Sequence, residues 1–270
     1  MIPPHPDPSV GIGELLSQFK LPTAAAEMAP RLLDAGDQAL EAVYEVLREE
    51  YEDRWQRRVD RLRRAAKLPA GKTLATLDLD YLGLRLSRQL RDLATGEFAD
   101  RAMNVLAFGL PGTGKSHAAA GLGHALVESG RSVLFVPTYQ LVQDLLAAKR
   151  DLELPRALRK LDRFDVLILD DIGYVKQGAD EIEVLFTLLA ERYERRSVVI
   201  TSNLVFSEWD QIFQNPMTTA AAVDRLVHHC VILEFNVKSY RTHEVKGRRK
   251  PCDAEEADES DVSRSPEGPE

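Results

Sequence analysis

The sequence predicts an α/β fold with a five-stranded parallel sheet, preceded by a small all-helical N-terminal domain. Beyond residue 100, short apolar runs alternate with longer helical patterns, as in a parallel sheet whose strands are joined by helices. A glycine-rich loop stands between the first of these runs and the helix that follows it. Before residue 70, apolar side chains instead recur every three or four residues, which is the spacing of one helix face.

The N-terminal domain is predicted to contain three helices. Two short helices are expected at Gly11–Lys20 and Thr23–Ala35, and Gly36 and Asp37 then indicate a helix stop followed by a new N-cap. A long helix follows, because one apolar face continues for about seven turns at helical spacing. The residues of this face are Leu40, Val43, Tyr44, Leu47, Tyr51, Trp55, Val59, Leu62 and Ala66.

The second half of the long helix is basic, and two interpretations of it remain open. It can be a solvated face whose cations lie at the favourable C-terminal end of the helix dipole. It can also contact the phosphates of duplex DNA, because clustered Arg and Lys release counterions on binding and the Arg fork fits phosphate. The candidate DNA-binding residues are Arg57, Arg58, Arg61, Arg64 and Lys67.

A composition change divides the helical part from the α/β part. Pro69, Gly71 and an alternating Leu-Asp pattern indicate a linker, and a further helix is expected at Leu84–Leu93. Five strands are then predicted, at Val105–Phe108, Val133–Val136, Val166–Leu169, Val198–Thr201 and Val231–Phe235. The expected organisation is a disordered start (1–10), a helical N-terminal domain (11–70), a linker (71–82), an α/β domain (83–245) and an acidic disordered tail (246–270).

The loop Gly109–Ser116 fits the pattern G-x-x-x-x-G-K-[ST], which cradles phosphates between a strand and a helix. Its glycines let successive backbone N–H groups face one point, where the N-terminus of the helix adds its positive end. Lys115 is expected to reach the β- and γ-phosphates of ATP, and the Ser116 hydroxyl to ligate Mg²⁺. The predicted nucleotide-binding residues are Gly109, Pro111, Gly112, Thr113, Gly114, Lys115, Ser116 and His117.

Two further strands end in polar residues that complete the predicted site. Asp170 and Asp171 end the third strand, at the carboxyl edge of the sheet where ligands collect. Asp170 is expected to hold Mg²⁺, mainly through water, and Asp171 to orient the attacking water as a general base. Asn203, which follows the fourth strand, could hydrogen-bond that water or the γ-phosphate, although Asn is also an ordinary turn residue.

The segment before the last strand holds one more catalytic candidate. Arg225 is either a surface ion-pair partner or an arginine finger that reaches the γ-phosphate of an adjoining subunit. His228 and His229 suggest a metal site, but no Cys or acidic residue stands at ligand spacing, so we interpret them as helix-end histidines.

Composition and charge limit the possible classes of protein. The two cysteines, Cys230 and Cys252, are far apart and do not indicate a disulfide or a metal site. No apolar run approaches the roughly 18 residues of a membrane span, so we expect a cytoplasmic protein with no membrane partner. The net charge is −8, but residues 251–270 contain eight acidic residues and one Arg and so account for −7 of it. The acidity is therefore a property of the tail and does not argue against a nucleic-acid partner.

With these residues in place, the chain resembles the IstB-like transposition helper ATPases of insertion sequences. These are close relatives of the DnaC-like helicase loaders within the AAA+ ATPases. The resemblance covers roughly Gly11–Arg241. It rests on the phosphate loop followed in order by LILDDIGY, ERYERRSVVITSNL, FSEWDQIF, DRLVHHCVILEF and SYR.

The resemblance implies roles for individual residues and a mode of action. Lys115 and Ser116 would bind nucleotide and Mg²⁺, Asp170 and Asp171 would act on metal and water, Asn203 would be the first sensor, and Arg225 the finger supplied in trans. ATP-bound subunits would assemble into a homo-oligomer on target duplex DNA, deform it and present it to a partner transposase that triggers hydrolysis. Too few residues follow Phe235 for the helical lid of many AAA+ proteins, so the pattern gives little support to Arg241 as a candidate second sensor.

Three alternatives differ in ways that can be tested. A helicase loader of the DnaC-like type would share every catalytic residue and differ in its partner. A small-molecule P-loop kinase would use the same loop but would need an acceptor-binding lid, and it gives no role to Arg225 or the basic helix. A nucleotide-gated scaffold with negligible turnover would not need the Asp170–Asp171 pair.

Overall fold

The computed structural model describes residues 7–172, 178–204, 208–209 and 226–240. Six helices come first in the described part of the chain, and helices then separate β1, β2, β3 and β4 from one another. The helices in chain order are α1 (Pro8–Gln18), α2 (Pro22–Ala35), α3 (Asp37–Ala66), α4 (Leu79–Leu82), α5 (Leu84–Ala94), α6 (Glu97–Asp100), α7 (Lys115–Glu128), α8 (Thr138–Arg150), α9 (Leu154–Leu161) and α10 (Ala179–Arg192). The strands are β1 (Asn104–Gly109), β2 (Val133–Pro137), β3 (Val166–Ile172), β4 (Ser197–Ser202) and β5 (Cys230–Phe235).

The five strands form one parallel sheet in the order β2-β3-β4-β1-β5. Each of the five predicted strands lies within an observed strand, so the predicted α/β class and strand number are confirmed. Because all strands run in the same direction, their carboxyl ends meet at one edge. The strand order places β1, which leads into the phosphate loop, beside β4, and β4 beside β3.

The sheet is covered on both faces, as its uniformly apolar strands require. Alternate residues along each strand point to opposite faces, so that Val105 and Ala107 belong to one buried cluster and Leu106 and Phe108 to the other. The first cluster contains α5, α7 and the end of α3, and the second contains α8 and α10. A third cluster, centred on Ile12, joins α1 and α2 to the first half of α3.

Two expectations about the segments that flank the N-terminal domain are wrong in detail. Residues 8–10 lie in the expected disordered start but form the first turn of α1, because the Asp7 side chain accepts a hydrogen bond from the Ser9 N–H and caps the helix. The expected linker also contains α4, and its Leu77 and Leu82 are buried in the first cluster. This segment therefore packs as part of the α/β body.

None of the helices in the described part of the chain is both long and apolar enough to cross a membrane. Cys230, at the start of β5, is half-buried, and burial raises the pKa of its thiol. Cys252 and the acidic tail lie outside the described residues.

Candidate functional site

The loop between β1 and α7 has the backbone that its glycines predict. Gly109, Gly112 and Gly114 all have positive φ angles, of 152°, 81° and 99°. Gly109 also lacks space for a side chain, because a Cβ there would lie 2.7 Å from the Phe235 carbonyl oxygen. The Thr113 hydroxyl donates to the Leu110 carbonyl at 2.8 Å and closes the turn. The loop leads directly into α7, whose first-turn N–H groups have no partner within the helix.

The Lys115 side chain folds back into this loop. Its ammonium donates to the carbonyl oxygens of Gly109 at 2.7 Å and Leu110 at 2.8 Å, and the residue is only 6% exposed. Burial lowers the pKa of Lys115, while the nearby carboxylates of Asp171 and Asp170 oppose that shift. A cation is thus held inside the loop, close to two acids on the neighbouring strand end.

A hydrogen-bonded chain joins the ends of β3 and β4 and fixes the acidic pair. The Thr201 hydroxyl donates to Asp170 Oδ1 at 2.7 Å and accepts the backbone N–H of Asp171 at 2.8 Å. Asn203 Nδ2 donates to Asp171 Oδ1 at 2.9 Å. The β3–β4 register shifts between Leu169 and Ile172, and Asp171 has a φ of 60°, so the two acids lie at an irregularity of the strand.

The environment favours a proton on Asp171 more than water does. Burial raises the pKa of this carboxyl, the charge of Asp170 raises it further, and Lys115 opposes both. A raised carboxyl pKa is the direction expected for a group that must accept a proton during a reaction. Asn203 donates to the ionised form and keeps it oriented.

These groups surround a cavity of about 530 Å³, within the range of small-molecule sites. Eight of the predicted site residues line it, drawn from the loop, the start of α7 and the ends of β3 and β4. They are Pro111, Gly112, Gly114, Lys115, Ser116, His117, Asp171 and Asn203. Asp170 and Ser116 offer the oxygen ligands that Mg²⁺ prefers, and Thr201 already orients one oxygen of Asp170, so the residues present fit this ion.

The cavity has a second wall that the sequence did not predict. It consists of Lys72, Thr76, Leu77 and Asp78 from the expected linker, together with Tyr240. The Tyr240 N–H donates to the Gly112 carbonyl at 2.9 Å, and its hydroxyl donates to the Asp78 carbonyl at 3.1 Å. Burial raises the pKa of Tyr240 to about 12. Two glycines within α7, Gly121 and Gly123, were the available signal, since glycine inside a helix pattern often marks close packing.

All five predicted DNA-binding residues are exposed: Arg57, Arg58, Arg61 and Arg64 on α3, and Lys67 directly after its last residue. Arg57 and Arg64 donate to the carbonyls of Asp53 and Asp60 one turn earlier in the same helix. Arg58 instead donates to the Gly130 carbonyl at 3.1 Å, just beyond the end of α7. Arg58 is thus the member of this set that joins α3 to the α/β body.

The remaining catalytic candidate, Arg225, lies outside the described residues, as does Arg241. Leu226 and Val227, the two described residues before His228 and His229, are helical, and an acidic residue approaches the two histidines. Glu194 Oε1 lies 3.8 Å from His228 Nδ1, which also contacts the Tyr193 hydroxyl at 3.0 Å. The expectation that no acidic residue stands near these histidines is therefore wrong, because the fold brings Glu194 beside them. Glu194, His228 and His229 are all exposed.

Comparison of the sequence with known proteins identifies a family for the chain. The family described as IstB-like ATP binding protein matches residues 15–247. An insertion sequence ATP-binding protein of Sinorhizobium fredii is 43% identical over 235 residues, which is 85% of this chain and 78% of the relative. The insertion sequence IS21 ATP-binding protein of Pseudomonas aeruginosa is 36% identical over 233 residues, 85% of this chain and 88% of the relative.

Solved structures share the fold at much lower identity. The crystal structure of DnaI matches with a TM-score of 0.53 and 19% identity, over 63% of this chain and 95% of that one. A DnaA replication initiator bound to AMPPCP and single-stranded DNA matches with a TM-score of 0.55 and 14% identity, over 67% of this chain and 55% of that one. These likenesses are ones of fold alone.

Proposed function

Because the chain belongs to the family of IstB-like ATP-binding proteins, we propose that it is an ATPase that binds ATP with Mg²⁺ and acts in transposition. One observation supports this most strongly. Asp171, held by Asn203, lines the same cavity as Lys115 and Ser116, and Thr201 joins it to Asp170 directly before it on β3. A protein that only binds nucleotide needs the loop but has no need for a proton-accepting carboxylate in the same cavity.

Each residue has a defined task in the proposed reaction. The loop N–H groups and the start of α7 bind the phosphates, and Lys115 exchanges its two carbonyl contacts for the β- and γ-phosphate oxygens. Mg²⁺, when bound through Ser116 and Asp170, supplies charge that stabilises the departing phosphate. Asp171 accepts a proton from the attacking water, and Asn203 holds the carboxylate in the orientation that this requires.

We further propose that ATP-bound copies assemble on duplex DNA and present it to a partner transposase. The names of the relatives support a role in insertion sequences, and the exposed basic side of α3 offers groups for sequence-independent contacts with phosphates. A helicase loader is less well supported. The likeness to DnaI is one of fold at 19% identity, whereas the insertion-sequence relatives reach 43%.

The test is ATP turnover with and without duplex DNA, combined with electron microscopy of the same samples. We expect duplex DNA to stimulate hydrolysis and ATP to produce assemblies that follow the DNA. Asp171→Asn should retain assembly and lose turnover. Turnover that is independent of DNA, with no assembly on it, would contradict the transposition role and favour a kinase-like function, whereas negligible turnover with and without DNA would favour the nucleotide-gated scaffold.

A further inference from the structure

We propose that residues 67–78, here called the strap, form a nucleotide-responsive wall of the site, with His117 as the positioning residue that ties it to the phosphate loop. Through the strap, the basic end of α3 would respond to what occupies the cavity. This inference rests on the proposed nucleotide site and adds a route of regulation to it. Four sets of contacts support it.

The strap lies directly on α7 and leaves no gap between them. α3 ends at Ala66, and its C-cap residue Lys67 has a left-handed φ of 53° that turns the chain onto α7. A Cβ at Gly121 would lie 2.8 Å from the Leu74 nitrogen, and one at Gly123 would lie 2.5 Å from a Leu68 methyl group. The strap backbone can approach α7 this closely at Gly121 because that position has no side chain, and the Leu68 side chain occupies the corresponding space at Gly123.

Two histidines of α7 anchor the strap along its length. His124 Nε2 lies 3.1 Å from the Pro69 carbonyl oxygen, near the α3 end. His117 Nε2 lies 3.1 Å from the Thr73 carbonyl and 3.0 Å from the Thr76 hydroxyl, near the cavity end. Carbonyl oxygens only accept, so both contacts require the hydrogen on Nε2. The histidines are seven residues apart and thus share one face of α7.

The cavity end of the strap is where bound nucleotide would act on it. Lys72, Thr76 and Asp78 line the same cavity as Ser116, the proposed Mg²⁺ ligand that directly precedes His117. Lys72 has no hydrogen bond or ion pair with any other residue that the structure describes, so its ammonium is available to an anionic ligand. Tyr240 bonds both the loop, at Gly112, and the strap, at Asp78.

The other end of the strap continues into the basic half of α3, which is fixed to α7 as well. Arg58 donates to the Gly130 carbonyl, and Arg63 pairs with Glu128 at 2.6 Å, both at the far end of α7. α3, the strap and α7 therefore form a closed triangle of contacts. Because each of these elements contacts the other two, a shift of the first turn of α7 or of the strap would also move α3, which carries the proposed DNA contacts.

The test is hydrogen–deuterium exchange of the full chain, with and without a non-hydrolysable ATP analogue and Mg²⁺. In the wild type, the analogue should slow exchange in the loop (109–116), in the strap and in the end of α3 (56–66). His117→Ala and His124→Ala should lose the response of α3, and His117→Gln, which keeps a donor, should regain part of it. Gln89→Ala is the control, since it removes a side-chain bond to the Ile232 carbonyl between α5 and β5, away from the strap.

The outcomes separate this proposal from the function on which it rests. Slower exchange in the loop alone would contradict the proposed role of the strap and would leave the proposed nucleotide site supported. If α3 loses its response in His117→Ala but keeps it in His124→Ala, His117 is a local nucleotide contact. This result would also contradict the proposed role of the strap. No change in the loop would contradict the nucleotide site itself.

Duplex DNA affinity gives a second measurement of the same coupling. Coupling between two sites typically changes affinity by about 5- to 150-fold, and it must be reciprocal. We expect the analogue to strengthen duplex binding within that range in the wild type and in Gln89→Ala, and the factor to fall toward one in His124→Ala. His124 does not line the cavity, so a factor that remains at the wild-type value in His124→Ala would overturn the strap.

Discussion

Lys115 makes two hydrogen bonds to its own loop, at Gly109 and Leu110, and so the loop is internally satisfied before ATP arrives. We expect Lys115→Ala to abolish ATP binding, because no other cation of the loop can reach the β- and γ-phosphates. Lys149→Ala is the matched control, since that ammonium pairs with Asp180 and Glu183 on the surface. Equilibrium binding of a fluorescent ATP analogue measures both variants. Wild-type affinity in Lys115→Ala would refute the assignment of the loop.

Asp171 should determine the acidic limb of turnover. Its pKa is raised, so the ionised form that accepts a proton is lost as the pH falls, starting at a higher pH than for an ordinary Asp with a pKa of 3.8. Asp171→Asn should keep nucleotide affinity and lose turnover, because the amide cannot take the proton. A pH profile of kcat and a binding titration together test this. Loss of binding in Asp171→Asn would instead indicate a role in holding the nucleotide.

At the scale of single residues, the sequence predicts the site where chemistry dictates local spacing. The phosphate loop is continuous, and Asp170 and Asp171 are adjacent, so both follow from pattern alone. Thr201 was part of a recognised block, but its bridge to Asp170 and Asp171 depends on the β3–β4 register. Tyr240 follows Gly112 by more than a hundred residues, and no local pattern reports such a contact.

The helix α7 depends on two glycines for its packing, and they should differ in their response to substitution. In Gly121→Ala, the new methyl group meets backbone atoms that cannot rotate away, at a cost of about 1–3 kcal/mol. The gain in helix propensity is about 1 kcal/mol. We therefore expect a net loss of stability in denaturant unfolding.

The partners of Gly123 and Gly13 provide graded controls for that measurement. A Cβ at Gly123 meets the ends of two flexible side chains, Leu68 and Ile168, so Gly123→Ala should cost less than Gly121→Ala. At Gly13 in α1 the nearest atom is 3.5 Å away, an ordinary contact, so Gly13→Ala should stabilise the protein by up to about 1 kcal/mol. The opposite order would show that the strap does not press on α7.

The exposed basic side of α3 supports a prediction about salt dependence. Replacing Arg61 and Arg64 with Gln should weaken binding to duplex DNA of any sequence, and each lost phosphate contact should lower the log–log salt slope by about 0.9. Replacing Arg31 and Arg48, which pair with Glu27 and Glu52 elsewhere in the helical domain, is the control. An unchanged slope in the first variant would favour the solvated-face interpretation.

Among the elements, those with strong periodicity were predictable and the strap was not. The five strands and the long helix carry apolar patterns that buried elements require, and all of them are present. The strap is rich in Pro, Gly and polar residues, which are typical of a linker. It nevertheless packs on α7, because Gly121 leaves room for its backbone, Gly123 leaves room for its Leu68 side chain, and two histidines of α7 contact its carbonyl oxygens.

For the whole molecule, an arginine finger supplied in trans implies a catalytic site that is shared between two subunits. Arg225 lies outside the described residues, and the proposal of a finger in trans rests on the family pattern. We expect Arg225→Ala to keep ATP affinity and to lose turnover by about 10³ or more, as for other arginine fingers. Mixing Arg225→Ala with Lys115→Ala should then restore part of the DNA-stimulated activity, because each variant supplies what the other lacks.

That mixture is informative only when the two variants assemble together, which differently tagged copies and co-purification establish. Lys115→Ala alone and Arg225→Ala alone are the inactive references. A silent mixture with demonstrated co-assembly would place Arg225 within its own subunit and would refute the shared site.

The two tryptophans of the chain occupy positions that make them native optical probes of its two halves. Trp209 is fully buried, and its ring lies 6.0 Å from that of Phe108. Phe108 belongs to β1, the strand that leads into the phosphate loop. Trp55 lies on α3 against Gly130, with the Arg58 guanidinium 5.9 Å from its ring. Trp55→Phe and Trp209→Phe would therefore each leave a single tryptophan, whose emission can be excited selectively over that of the tyrosines. Stopped-flow fluorescence of the two variants would then time events near the loop and at the basic helix separately, with no attached dye.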